Sequence, residues 1–181
     1  TLQAHLLPLR ALPLSPDGQT LASSGDDLFA CLWDLRTGQI QHTLLDLSYP
    51  NKYLRFSADG RRLAAVRVDQ SIALWHVDHG QRLDLLEAYS NFVYAVTFSP
   101  DSTCLASAGA DCIIRLWPIG EAPATAPSSI LQGHSLWINA LAFRPDGRVL
   151  ASGGNEREIQ IWDLHNRRIL QKLEGHTHAV E

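Results

Sequence analysis

Apolar side chains alternate with polar ones in short runs along the chain, as at Leu141 and Phe143 or Ile159 and Ile161. A spacing of two puts successive apolar residues on one face of a strand, whereas a helix needs a spacing of about 3.6. The runs are separated by clusters of Pro, Asp, Gly and Ser, residues whose backbone and side-chain preferences make turns. The pattern predicts an all-β chain of short strands. In its best-defined stretch they fall near 137–143, 148–152, 157–162 and 168–173.

This pattern repeats. Tryptophan closes the runs Cys31-Leu32-Trp33, Ala73-Leu74-Trp75, Arg115-Leu116-Trp117 and Gln160-Ile161-Trp162, at separations of 42, 42 and 45 residues. A turn-forming block begins 18 residues before each: Ser15-Pro16-Asp17-Gly18, Ser57-Ala58-Asp59-Gly60, Ser99-Pro100-Asp101-Ser102 and Arg144-Pro145-Asp146-Gly147. A strand opening Leu21-Ala22-Ser23, Leu63-Ala64-Ala65, Leu105-Ala106-Ser107 or Leu150-Ala151-Ser152 follows. The third unit is three residues longer because of the loop from Gly120 to Pro127. A four-stranded unit of this length cannot bury both faces alone, so copies stack, and radial stacking of such sheets makes a β-propeller.

Composition narrows the function without naming it. The 181 residues carry 19 acidic and 15 basic groups, a net charge of −4, so no bulk positive field exists to hold a nucleic acid. No apolar run approaches the roughly 20 residues that span a bilayer, and no membrane association is expected. Cys31, Cys104 and Cys112 are an odd set without CxxC spacing, which reads as reduced thiols in an intracellular, cytoplasmic protein. The opening Thr1-Leu2-Gln3 and the lack of any Met suggest a piece of a longer polypeptide.

In these motifs the chain resembles the WD-repeat (WD40) family over essentially its whole length. Trp33-Asp34, Trp162-Asp163, Gly133-His134 and Gly175-His176 match in full. Trp75-His76 and Trp117-Pro118 lack the Asp, and Ala4-His5, Leu47 and Tyr89 stand where the Gly-His pair or its His is expected. The resemblance implies blades over 8–47, 48–89, 90–134 and 135–176, with 1–7 ending a preceding blade and 177–181 starting a further one. It also implies a ring of roughly seven or eight blades. Four blades would then be completed by more of the same polypeptide or by a second copy.

The resemblance further implies a buried network in each blade, built from a His, a Ser, an acid and the Trp. These are His5, Ser23, Asp27 and Trp33 in the first unit and His134, Ser152, Glu156 and Trp162 in the fourth. The third keeps Ser107, Asp111 and Trp117, the second only Asp69 and Trp75, and His176 would open the next. Complete networks should make units one and four the more rigid. The longer Glu156 side chain is expected to bring local strain.

Ser, His and an acid also suggest a nucleophilic triad, but this set recurs from unit to unit, its Ser lies within a strand, and Ala65 replaces it in the second. No catalytic residue is expected. The pairs His176/His178 and His76/His79 lack a third ligand, and Ser152-Gly153-Gly154-Asn155 lacks phosphate-loop spacing, so neither metal nor cofactor is expected.

Binding is expected on one rim, where the family's partner-contact positions fall at three points per blade. They are Pro8, Arg10 and Asp26; Pro50, Lys52 and Val68; Phe92, Tyr94 and Ala110; and Trp137, Asn139 and Asn155, with Ala179 and Glu181 in the next blade. Phe92, Tyr94 and Trp137 would form an aromatic patch, and Arg10 and Lys52 would favour an acidic partner. Alternatively, Phe92 and Trp137 pack between blades. The expected function is a non-catalytic scaffold, the docking or sensor module of a larger regulatory, signalling protein that binds a protein or peptide. A structural assembly subunit using its blade edges, or a catalytic propeller, are the alternatives.

Overall fold

A computed structural model describes residues 4–45, 53–67, 69–87, 91–120, 124 and 126–180. Leu2, Gln3, Leu47, Pro50, Lys52, Val68, Tyr89 and Glu181 lie outside the described residues, as do 121–123 and 125 of the inserted loop. The chain divides into two compact units, Thr1–Glu87 and Ala88–Glu181.

All the described regular structure is strand. The first unit holds β1 (Leu9–Ala11), β2 (Thr20–Gly25), β3 (Ala30–Asp34) and β4 (Gln39–Leu44) in one sheet. Its second sheet is β5 (Leu54–Phe56), β6 (Arg62–Val66), β7 (Ile72–His76) and β8 (Arg82–Leu86). The second unit holds β9 (Val93–Phe98), β10 (Cys104–Gly109), β11 (Ile113–Pro118) and β12 (Ser129–Gln132), then β13 (Ile138–Phe143), β14 (Val149–Gly154), β15 (Ile159–Asp163) and β16 (Arg168–Leu173). Each sheet is an antiparallel meander in which sequence neighbours pair. The expected all-β architecture of four four-stranded sheets is the one observed.

The turn blocks work through one serine and one aspartate. Ser15 Oγ donates to Asp17 Oδ1 at 2.6 Å and accepts from Thr20 N at 2.8 Å, while Asp17 Oδ1 accepts from Gln19 N at 3.0 Å. Ser57 with Asp59 and Ser99 with Asp101 repeat the arrangement. In the fourth unit Arg144 takes the serine position and grips Asp146 through two hydrogen bonds of 3.0 and 2.5 Å. At the next hairpin, Asp34 Oδ1 accepts from Arg36 N and Thr37 N, and Asp163 Oδ1 from His165 N and Asn166 N. The Asp after each of these tryptophans thus fastens the turn into the outer strand.

Register puts a Leu opposite each Trp across the second and third strands: Leu21 with Trp33, Leu63 with Trp75, Leu105 with Trp117 and Leu150 with Trp162. Pairing with the outer strand shifts just before Trp33, Trp75 and Trp162. Such a bulge re-aims the side chain that follows it.

Within each unit the core lies between its two sheets. In the first, Ala22, Ala30, Leu32 and Leu44 of one sheet meet Leu54, Leu63 and Val77 of the other. In the second, Ala106, Ala108, Ile114, Leu116 and Leu131 meet Ile138, Leu150 and Trp162. In the second unit the small Ala106 and Ala108 thus receive large residues from the neighbouring sheet.

Leu150→Ala removes a fully buried side chain beneath Trp162 and is expected to lower unfolding free energy in urea by about 2–5 kcal/mol. Leu170→Ala, at an exposed position of β16, is expected to change it by less than about 0.5 kcal/mol.

Candidate functional site

Two adjoining groups of side chains carry chemistry: the buried networks inside the sheets and the residues at the start of each first strand beside them. In the first unit His5 Nδ1 lies 2.9 Å from Asp27 Oδ1, His5 Nε2 lies 2.8 Å from Ser23 Oγ, and Trp33 Nε1 donates to Ser23 Oγ at 2.7 Å. The fourth sheet repeats this with His134 Nδ1 to Glu156 Oε2 at 2.7 Å, His134 Nε2 to Ser152 Oγ at 2.6 Å, and Trp162 Nε1 to Ser152 Oγ at 2.7 Å. A neutral imidazole with its proton on Nδ1 satisfies every member. The indole N–H donates to the hydroxyl oxygen, the hydroxyl donates to Nε2, and Nδ1–H donates to the carboxylate.

The longer Glu156 reaches its targets. Its Oε1 accepts from Leu136 N at 2.9 Å and from Ser135 N, where Asp27 accepts from Leu6 N at 3.3 Å. Burial pushes the Glu156 carboxyl up, but the bonds from Ser135, His134 and Leu136 outweigh it and hold the group down at about 2. Burial is also the dominant influence on His134, moving it below 6.5 against the pull of Glu156, so the ring stays neutral.

The serine here is no nucleophile. Ser23 and Ser152 are buried within strands, and each hydroxyl oxygen is covered by an indole N–H. An attacking hydroxyl needs an open approach for a substrate carbonyl.

The other two sheets depart from the expected network. In the third, Trp117 Nε1 donates to Ser107 Oγ at 2.8 Å, but Asp111 pairs with Arg115 at 2.6 Å, both side chains nearly buried. Arg115 lies two residues before the Trp, where Cys31, Ala73 and Gln160 stand in the other units. Nothing in the strand alternation marked it as a network member. A charged residue at an inward strand position was the available signal.

In the second sheet Asp69 and Trp75 do not join. Asp69 accepts from Ser71 N at 3.0 Å and from Arg67 at 2.8 Å, and Trp75 Nε1 is buried without a hydrogen-bond partner among the described residues. Ala65 occupies the serine position, so the hydroxyl that would link them is missing. His176 is exposed.

On the rim, the carbonyls of Pro8, Phe92 and Trp137 accept from the backbone N–H of Asp26, Ala110 and Asn155 at 3.1, 2.8 and 2.9 Å. Each contact crosses a register shift at a second-strand glycine. A Cβ on Gly109 or Gly154 would stand 1.9 Å from the Phe92 or Trp137 oxygen, so only glycine permits this approach. Phe92 is 55% and Trp137 49% exposed, so burial between sheets does not account for them. Tyr94 bridges the two, stacked on Phe92 at 6.3 Å between ring centroids and tilted against Trp137 at 5.6 Å. Beside them Asn139 Nδ2 donates to Asn155 Oδ1 at 2.9 Å.

Of the two expected cations, Arg10 lies in the described residues. Arg10 is held by Asp26 through two bonds of 2.5 Å, so its charge is compensated within its own blade. Its counterparts are Tyr94 opposite Ala110 and Asn139 opposite Asn155, and the same pair of positions therefore carries an ion pair, an aromatic ring or an amide pair.

A model of the family described as WD domain, G-beta repeat matches residues 1–34, 80–118 and 125–163. No curated protein matches the chain. The interval 35–79 that the family model leaves unmatched contains Ala65, Trp75-His76 and the unpartnered indole.

Ala65→Ser places a hydroxyl where Ser23, Ser107 and Ser152 stand, and is expected to raise unfolding free energy by about 1 kcal/mol in urea. Loss of stability would mean that the site has no room for the oxygen. Acidification should destabilise the second unit in two stages. The unfolded chain protonates its histidine at 6.5 and its glutamate at 4.5, before folded His134 or Glu156 does, so the unfolded state binds more protons in both windows. Thermal midpoints should fall below pH 6.5 and again from 4.5 towards 2, and Glu156→Gln should flatten the lower branch while lowering the midpoint at pH 7.

Proposed function

The chain belongs to the WD40 family, and on that basis we propose that it is a non-catalytic docking module whose rim binds a protein or peptide. One observation carries this reading: the contiguous surface of Phe92, Tyr94 and Trp137. Large rings fixed by backbone bonds bury much area on binding at little entropic cost, which is why aromatics dominate binding hot spots. The partner is held mainly by apolar and aromatic contact, with Asn139 and Asn155 supplying polar contacts beside it. Acidic selectivity through Arg10 is not part of the proposal, since Asp26 already compensates that charge.

The module acts inside the cell, as a docking or sensor part of a regulatory, signalling protein. Cys31, Cys104 and Cys112 support an intracellular setting as free thiols, and burial raises Cys104 to about 11. A thiol so reluctant to ionise is a packing residue.

Replacing both Tyr94 and Trp137 with Ala should weaken capture of a binding partner selected against the parent chain from a displayed peptide library by at least ~10-fold, equivalent to about 1.4 kcal/mol. The circular dichroism spectrum should stay that of the parent. Unchanged capture by the folded double variant would refute the assignment of binding to this surface.

A further inference from the structure

The aromatic rim lies inside one compact unit, at the entry to β9 and β13, the first strands of two sheets that pack on each other. Phe92, Leu136 and Trp137 are exposed there, and Tyr94 is half-buried. An extended peptide can be held at such a place by main-chain pairing, by charge or by stacking on side chains.

Main-chain pairing is closed. The Phe92 and Trp137 carbonyls already accept from Ala110 N and Asn155 N, Phe92 N–H donates to Asn91 Oδ1 at 2.9 Å, and Leu136 N–H donates to Glu156 Oε1 at 2.9 Å. A partner strand needs a row of unpaired N–H and C=O groups, and these four are committed.

The carboxylates of the two neighbouring hairpins are engaged as well. Asp111 pairs with Arg115 at 2.6 Å, Glu158 with Lys172 at 2.6 Å, and Glu156 is taken up by His134 and two backbone N–H groups. A basic ligand therefore meets no unpartnered carboxylate there.

Rings and side-chain donors remain. Among the described residues neither the Trp137 indole N–H nor the Tyr94 hydroxyl has a hydrogen-bond partner. Asn139 Nδ2 uses one hydrogen on Asn155 Oδ1, which leaves its second hydrogen and the Asn155 amide hydrogens to point elsewhere.

A polyproline II segment matches this inventory. It has no internal hydrogen bonds, so its carbonyls accept from outside, and its prolines dock on aromatic-lined surfaces. It advances about 3.1 Å per residue, so groups two residues apart on its two contacting edges stand about 6.2 Å apart along its axis. The ring centroids are 6.3 Å apart between Phe92 and Tyr94 and 5.6 Å apart between Tyr94 and Trp137. Such a segment is also stiff before it binds, which lowers the entropic cost of contact.

On the reading of this rim as the docking surface, we propose that it binds an uncharged, proline-rich segment in the polyproline II conformation. Its prolines seat against Phe92, Tyr94 and Trp137, and its carbonyls accept from the Trp137 indole, the Tyr94 hydroxyl and the Asn139 and Asn155 amides.

Fluorescence anisotropy of a labelled polyproline peptide titrated with the full chain tests this, beside peptides of equal length rich in arginine, in glutamate, or in glycine and serine. Saturable binding is expected for the polyproline peptide alone, unchanged between low and high salt because no charge is read. Tyr94→Phe and Trp137→Phe each keep a ring and remove a donor, and each should weaken binding by about 5-fold, the worth of one neutral hydrogen bond. Leu170→Ala, on the outer strand β16, should leave it unchanged.

The ligand selected from the displayed peptide library separates this partner from the surface itself. A ligand that lacks proline yet depends on Tyr94 and Trp137, with no binding of the polyproline peptide, overturns the proline-rich partner and leaves the docking surface standing. Capture indifferent to both residues overturns the docking surface and the proline-rich partner together. Tighter binding of the arginine-rich peptide, or of the glutamate-rich one through Arg157, which is exposed on the β14–β15 hairpin, assigns the surface to a charged partner and likewise overturns the proposal.

Discussion

The hydrogen bond from a third-strand indole to a second-strand serine is the interaction on which each complete sheet is organised. It fixes a large ring across the pair of strands that pack most tightly, and it satisfies an N–H that would otherwise be buried alone. The bulge beside the Trp and the Leu opposite it set the ring's direction. With the ring in place, Trp162 becomes part of the apolar joint to the preceding sheet, so one polar bond positions the largest piece of the hydrophobic contact. The second sheet shows what its loss leaves behind, a buried indole N–H with no partner among the described residues.

The same network continues outward to the rim. In the fourth sheet the serine binds His134, His134 binds Glu156, and Glu156 holds the backbone N–H groups of Ser135 and Leu136. Trp137 follows directly, with its carbonyl fastened to Asn155. Its backbone is thus tied from both sides, and its ring is free to face outward. A residue whose backbone is tied in this way has little backbone freedom left to lose on contact with another molecule. In the third sheet Asp111 pairs with Arg115, while Phe92 is held through Ala110 N–H and the Gly109 approach. Different internal chemistry delivers the same outward presentation.

Nearly all of the fold was legible in the sequence. Alternation gave strand type, the Trp interval gave the repeat, and the Ser-Asp and Trp-Asp pairs marked turns whose hydrogen bonds the structure displays. The networks of the first and fourth sheets were legible through the resemblance to the WD-repeat family, which implied which residues would meet. Arg115 escaped notice because its role depends on which inward-facing neighbour lacks a partner. That is a matter of three-dimensional proximity. The added methylene of Glu156 lets it reach two backbone N–H groups.

The sequence by itself determined which residues form strands, where each turn falls and which position repeats, because these follow from short-range stereochemistry and a period of two. Only the tertiary structure decided the state of the exceptions. It paired Arg10 with Asp26 and Asp111 with Arg115, and it fixed the ring contacts by which Tyr94 bridges Phe92 and Trp137 across two sheets. Each of these outcomes depends on what a neighbouring strand or sheet presents within a few ångströms, and residues far apart in sequence reach that distance only after the sheets have packed.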